Sequence, residues 1–213
     1  MIPLLDNRQD LGQCAVEIGS EVGQLLTPLT RYKLRDPTKP WAIDNGAYTE
    51  FREKNFLSLL EREQHHKENC LFVSVPDVVS SARRTLEIFH IWAPKLVGWK
   101  LALVCQDGQE NLPIPWELIS AVFIGGSTSW KVSIHVQQIV KAAKILGKHV
   151  HAGRVNDESR WRFFEDLGCD TADGTGISRY SHMRKKIAGR GDKDGFFLHR
   201  EPQSRQKSEG LES

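Results

Sequence analysis

Three aspartates close short apolar runs at small, flexible turns. Asp44 follows Trp41-Ala-Ile and precedes Asn-Gly, Asp77 follows Leu71-Phe-Val-Ser-Val-Pro, and Asp173 ends Gly168-Cys-Asp-Thr-Ala-Asp ahead of Gly-Thr-Gly. A strand that ends on a carboxylate at a turn places that carboxylate at a rim. Three acids on one rim can divide nucleophilic, proton-transfer and binding roles between them. One carboxylate can attack a sugar carbon and leave a covalent glycosyl intermediate, and a second can move a proton on the departing or entering group. A third can accept hydrogen bonds from a base edge. Guanine offers N1–H and a 2-amino group to a carboxylate, while its O6 takes a glutamine amide or a backbone N–H beside glycine. Gln106 and Gly125-Gly126 follow the intervening strands.

The elements that must position these residues alternate between strand and helix. Strands are expected at 41–45, 70–75, 99–105, 121–124, 149–153 and 169–172, from their apolar runs and bounding turns. Helices are expected at 51–66, 81–92, 131–146 and 157–167. The stripe Val132, Val136, Ile139, Val140, Ala143 marks the third, and Asn156 is placed to cap the last. The first 35 residues offer one or two more strands, at Cys14-Ala-Val-Glu-Ile18 and Gln24-Leu-Leu-Thr27. Six strands would suit an open doubly wound sheet, and eight would close a barrel. Functional-looking turns follow nearly every strand, and no G-x-G-x-x-G or P-loop pattern follows any. The expected fold is therefore a compact, trimmed (β/α)8 barrel of the TIM type, an α/β architecture over residues 1–186. Residues 187–213 read as an irregular basic tail that docks through Phe196-Phe197-Leu198.

Composition excludes several classes. No apolar stretch is long enough to span a bilayer, so no membrane partner is expected, and the N-terminus lacks the pattern of a secretory signal. Cys14, Cys70, Cys105 and Cys169 are widely spaced without a C-x-x-C pair. That argues against a zinc site and for reduced, structural thiols in a cytoplasmic compartment. Net charge is +2, but Arg179, Arg184, Lys185, Lys186 and Arg190 form a run without an acid. With Lys131 and Arg154 they are candidates for phosphate contacts, against the plainer reading of a solvated face. Asp107, beside Gln106, is an alternative rim acid. Ser127, Thr128 and Ser129 are candidates for a phosphate, and Trp130 for stacking on a base or packing on the barrel. His149 and His151 alternate on one strand, with His151 on the side of Gly153. They read as hydrogen-bonded barrel histidines in preference to metal ligands.

In order, Asp44-Asn-Gly-Ala-Tyr48, Asp77, Gln106, Gly125-Gly126, Gly153 and Gly168-Cys-Asp-Thr-Ala-Asp173 resemble the turns of the tRNA-guanine transglycosylase superfamily. That family carries a D-S-G-G-[FY]-like turn, a base-binding aspartate, a base-binding glutamine, a Gly-Gly loop and a nucleophilic aspartate in G-[IV]-D-x-x-D. The resemblance runs from about Gln24 to Arg179. The stretch Phe123-Ile-Gly-Gly-Ser-Thr-Ser-Trp-Lys131 is similar to the DNA-modifying branch, whose members insert 7-deazaguanine bases into DNA and are often phage-encoded. The resemblance implies a pentosyltransferase with Asp173 as nucleophile at C1′ and Asp44 as the acid/base residue. It implies that Asp77 binds N1–H and the 2-amino group of guanine, and that Gln106 and the backbone of Gly125 and Gly126 reach O6. Asn45, standing where a serine is usual, is carried as a substrate-binding residue, and Asp170 as structural. The implied partners are DNA and a 7-deazaguanine such as preQ0, with no metal or redox cofactor. A homodimer stays open, because the tRNA enzymes work as dimers. The chain is shorter than the tRNA enzymes and lacks their C-x-C-x-x-C…H zinc motif. Alternatives are the same exchange on tRNA, hydrolysis of the glycosidic bond, and an idle barrel that only binds nucleic acid.

Overall fold

The computed structural model describes residues 1–6, 11–30, 34 and 36–189. Eight strands run β1 (Ile2–Leu5), β2 (Gly23–Leu26), β3 (Trp41–Ile43), β4 (Cys70–Ser74), β5 (Leu101–Cys105), β6 (Ala121–Ile124), β7 (His149–Ala152) and β8 (Thr171–Ala172). Each pairs in parallel with the next, and β8 returns to β1 through Ile2↔Thr171 and Pro3↔Ala172, closing the barrel. The expected (β/α)8 architecture is what the chain adopts.

Both faces of these strands are buried, which is why they read as continuous apolar runs. Leu4, Leu25, Ala42, Phe72, Ala102, Val104, Ala121 and Phe123 fill the barrel interior. Their neighbours Leu5, Leu26, Trp41, Ile43, Val73, Leu103, Val122 and Ile124 pack outward under the helices. The rings of Phe72 and Phe123, whose centroids lie 6.2 Å apart edge to face, share this interior with the small side chains of Ala42, Ala102 and Ala121.

Among the described residues the helical shell is incomplete. It comprises α1 (Leu11–Ile18), α2 (Glu53–Glu63), α3 (Ala82–Trp92), α4 (Thr128–Lys131), α5 (Ile134–Ile145), α6 (Glu158–Asp166), α7 (Thr175–Arg179) and α8 (Ser181–Ala188). Only short 3-10 turns, at 109–111 and 116–118, join β5 to β6. Four expectations need correction. Cys14–Ile18 belongs to α1: Cys14 and Ile18, one turn apart, are buried, and Val16 between them is 82% exposed. The first strand is instead Ile2–Leu5. The expected 131–146 helix is two helices, because the Ser133 side chain caps α5 by accepting from the Val136 N–H and Val132 turns outward. Asp157, not Asn156, caps α6, accepting from the Arg160 N–H at 2.9 Å. Helix α8 continues to Ala188 with Ile187 buried, past the expected start of the tail. Arg190 and Phe196-Phe197-Leu198 lie outside the described residues. Among the described residues no helix is long and apolar enough to cross a membrane.

Candidate active site

The strand C-termini surround a cavity of about 480 Å³ that Asp44, Asp77 and Asp173 all line. Each acid is placed by its strand: Asp44 follows β3, Asp77 stands three residues past β4, and Asp173 follows β8 directly. The three turns far apart in sequence thus meet at one end of the barrel, where this architecture places its chemistry.

Asp44 and Asp77 are joined by a polar network. The Ser74 hydroxyl donates to Asp44 Oδ1 at 3.2 Å, and the same hydroxyl oxygen accepts the Asn45 N–H at 2.8 Å. Asn45 Nδ2 then donates to Asp77 Oδ1 at 2.8 Å and to the Val75 carbonyl at 2.9 Å. Gln106 Nε2 donates to Asp77 Oδ2 at 2.6 Å, and Gln106 Oε1 accepts the Ser80 N–H at 2.9 Å. Both oxygens of Asp77 are therefore oriented from behind. Burial pushes the Asp77 carboxyl above its usual range, against the opposing pull of those amides and the Arg154 charge. Burial, with the charges of Asp173 and Asp77, raises Asp44 further, to about 7.

Asp173 is treated in the opposite way. Arg154 N–H donates to its Oδ1 at 2.9 Å, and His151 Nε2 lies 2.9 Å from its Oδ2. Burial alone would raise its pKa. The His151 hydrogen bond, the Arg154 amide and the Lys131 charge pull against burial, and the carboxyl is held below its ordinary value. Arg154 adopts a left-handed backbone (φ 56), and its guanidinium donates to the Gly126 carbonyl at 2.9 Å while lying 3.9 Å from the Tyr48 ring centroid. Gly174 must lack a side chain, since a Cβ there would sit 2.2 Å from the Val155 carbonyl oxygen.

Of the predicted nucleic-acid contacts, Arg154 and Arg179 line the cavity, and Lys185 and Lys186 are exposed on α8 away from it. Lys131 and Arg184 are corrected. Lys131 is 2% exposed and donates to the Gly153 carbonyl at 2.5 Å, with burial lowering its pKa to about 8. Arg184 is 4% exposed and bonds Glu17 at 2.5 Å and the Ile177 carbonyl at 2.8 Å. A buried cation with internal partners cannot meet a phosphate. Arg184→Ala is expected to lower the melting temperature by several degrees, through loss of a buried cation's contacts, and to leave nucleic-acid affinity within twofold. Thermal melts and a salt-matched binding titration check both.

The alternative rim acid Asp107 is spent on Ser127, accepting its N–H at 2.8 Å and its hydroxyl at 2.5 Å. Trp130 packs, 8% exposed, with its indole N–H on Glu110 at 2.9 Å. Asp170 is structural, accepting from Lys144 Nζ at 2.6 Å and the Val150 N–H at 2.8 Å. The contact between His151 and Asp173 is not among the pairings expected from the sequence. The signal was present: His151 is two residues before Gly153 and Asp173 two after Thr171, and β7 and β8 align His151 with Thr171.

The fold and site define a parallel eight-stranded barrel with an acidic cavity at its C-terminal rim. No family model and no curated protein matches the chain. Solved structures similar to it include the PaMucR phosphodiesterase in complex with c-di-GMP (16% identity, TM-score 0.42, 66% of this chain and 61% of that one). Another is native KDPGal (13% identity, TM-score 0.44, 87% of this chain and 91% of that one). This chain thus spans less than two thirds of the phosphodiesterase. No chemistry passes with likeness at this level.

Proposed function

We propose that this protein is a transglycosylase that exchanges guanine in DNA for a 7-deazaguanine base through a covalent aspartyl-glycosyl intermediate. The observation that carries the reading is the unlike setting of two carboxyls in one cavity: Asp173 accepts the Arg154 N–H and lies 2.9 Å from His151 Nε2, while Asp44 takes the Ser74 hydroxyl and the Gly46 N–H and, among the described residues, has no cation bonded to it. Asp44 is raised to about 7 and Asp173 is lowered. Carboxylates whose pKa values are pushed apart divide the work of acid and nucleophile. Asp173, ionised, attacks C1′ of a nucleotide that has left the base stack. The bond from C1′ to N9 of guanine breaks, and Asp44, protonated, gives its proton to the departing base. An incoming 7-deazaguanine then attacks C1′, returns the electron pair to Asp173 and passes its N–H proton to Asp44.

Asp77 reads the base. Its oxygens are fixed by Asn45 and Gln106, and their remaining lone pairs suit N1–H and the 2-amino group of guanine. In this reading Gln106 acts first by aligning Asp77, and the O6 contact falls to the backbone at Gly125 and Gly126. A Cβ at Gly125 would lie 2.8 Å from Gln106 Nε2 and 2.9 Å from Val104 Cγ1. Gly125→Ala is therefore expected to push Gln106 off Asp77 and weaken binding of free guanine or preQ0 about tenfold, the worth of one hydrogen bond to a charged group. Calorimetric titration with either base checks it.

DNA is favoured over tRNA by the resemblance of residues 123–131 to the DNA-modifying branch. The deciding experiment incubates the protein with labelled preQ0 and duplex DNA, single-stranded DNA or tRNA. Label entering DNA alone is the expected result. Label entering tRNA alone transfers the activity to the other substrate. Release of guanine without incorporation makes the protein a hydrolase.

A further inference from the structure

Beneath the acidic cavity a hydrogen-bonded chain runs down the barrel interior. His151 Nε2 lies 2.9 Å from Asp173 Oδ2, His151 Nδ1 lies 2.8 Å from Thr171 Oγ1, and His149 Nε2 lies 2.8 Å from the same hydroxyl. His151 has no exposed surface. The rings of Phe72 and Phe123 flank it at 5.1 and 4.5 Å and offer no polar partner.

Counting protons restricts the direction of this chain. Thr171 has one hydroxyl proton and two histidine nitrogens beside it, so one histidine must donate to it. Two arrangements leave Asp173 ionised. In the first, His149 Nε2–H donates to Thr171, Thr171 donates to His151 Nδ1, and neutral His151 donates to Asp173 through Nε2–H. In the second, Thr171 turns to His149, and His151 is an imidazolium. The charge of Asp173 disappears when its oxygen bonds to C1′. The second arrangement then leaves a buried cation with no counter-charge at its Nε2, which is costly. The first arrangement passes through the reaction without an unpaired charge.

We propose that His151 is a positioning residue for Asp173, held by Thr171 and His149 as the neutral Nε2–H tautomer, and that its N–H stabilises the Asp173 carboxylate as it leaves C1′ in the second half of the exchange. This rests on the transglycosylase reading. In that step the bond from C1′ to Asp173 breaks as N9 of the incoming base bonds to C1′. The electron pair of the broken bond returns to Asp173, and the N9 proton passes to Asp44. A donor bonds a full carboxylate more strongly than an ester oxygen. It therefore assists departure of Asp173 and does nothing for its attack.

The test has a spectroscopic arm and a kinetic arm. Nitrogen-15 spectra of histidine-labelled wild-type protein, with the His151 signal identified by its loss in His151→Gln, are expected to show Nε2 protonated and Nδ1 bare at pH 8. At the same pH, His151→Leu is expected to raise the steady-state ratio of covalent adduct to free enzyme roughly tenfold to a hundredfold, the range for loss of a hydrogen bond to a charged group. His151→Gln, which keeps an N–H donor, is expected to restore the wild-type ratio. A purely structural histidine would change stability in both variants and leave that ratio alone. An imidazolium or Nδ1–H spectrum, or a Leu variant with the wild-type adduct ratio, overturns the proposal while exchange itself stands. Absence of adduct and of exchange in the wild type overturns the transglycosylase reading and this step with it.

Discussion

Asp173→Asn lowers turnover by about 10⁴-fold or more, the scale on which loss of a catalytic nucleophile is felt. The amide cannot form the ester with C1′, so no adduct survives denaturation. The fold keeps its shape, because the carboxamide oxygen can still accept the Arg154 N–H that Asp173 Oδ1 accepts now. Its NH2 group would meet the His151 N–H that Oδ2 accepts, so a modest loss of stability is expected alongside. Base binding at Asp77 is unaffected, which separates a lost nucleophile from a collapsed site. Single-turnover base release, with a parallel titration of free guanine, measures both.

Asp44→Asn has two effects of opposite sign. It removes the proton that the departing base takes, and turnover falls about 10²- to 10⁴-fold. It also stabilises the protein above neutral pH. The folded-state pKa of Asp44 is about 7, above its ordinary 3.8. Folding therefore favours the protonated form. Below pH 3.8 the group is neutral folded and unfolded and costs nothing. As pH rises from 3.8 the unfolded chain ionises while the folded site resists, and stability is lost until the folded group ionises near 7. A displacement of about three units corresponds to roughly 4 kcal/mol at pH 8. The asparagine has no such charge to bury. Denaturation at pH 8 should show the variant more stable than the wild type, with the gap closing as pH falls toward 4. The same titration gives wild-type base release an alkaline limb near pH 7, which the Asn variant lacks.

The acidic rim was legible because each aspartate ends an apolar run at a turn, a local signal that burial of both strand faces produces. What failed was pattern that local sequence cannot resolve. Cys14, Val16 and Ile18 alternate like a strand, yet the chain turns them into α1 and leaves Val16 in solvent. Strand β8 was expected at 169–172 and is present, though only Thr171–Ala172 pair with β7 and β1. Lys131 and Arg184 looked like surface cations, since nothing near them in sequence announces the Gly153 carbonyl or Glu17. Glu17 is 167 positions away from Arg184. The polar support behind the acids was hidden for the same reason: Ser74, Asn45 and Gln106 meet Asp44 and Asp77 across three strand ends.

The central claim is that Asp173 carries the sugar. Intact-mass analysis of protein denatured after brief incubation with guanine-containing DNA tests it most directly. The account predicts a species heavier by the attached oligonucleotide less one guanine, with the modification mapping to Asp173 after digestion and absent from Asp173→Ala. An adduct on another residue, or one that persists in Asp173→Ala, would contradict it.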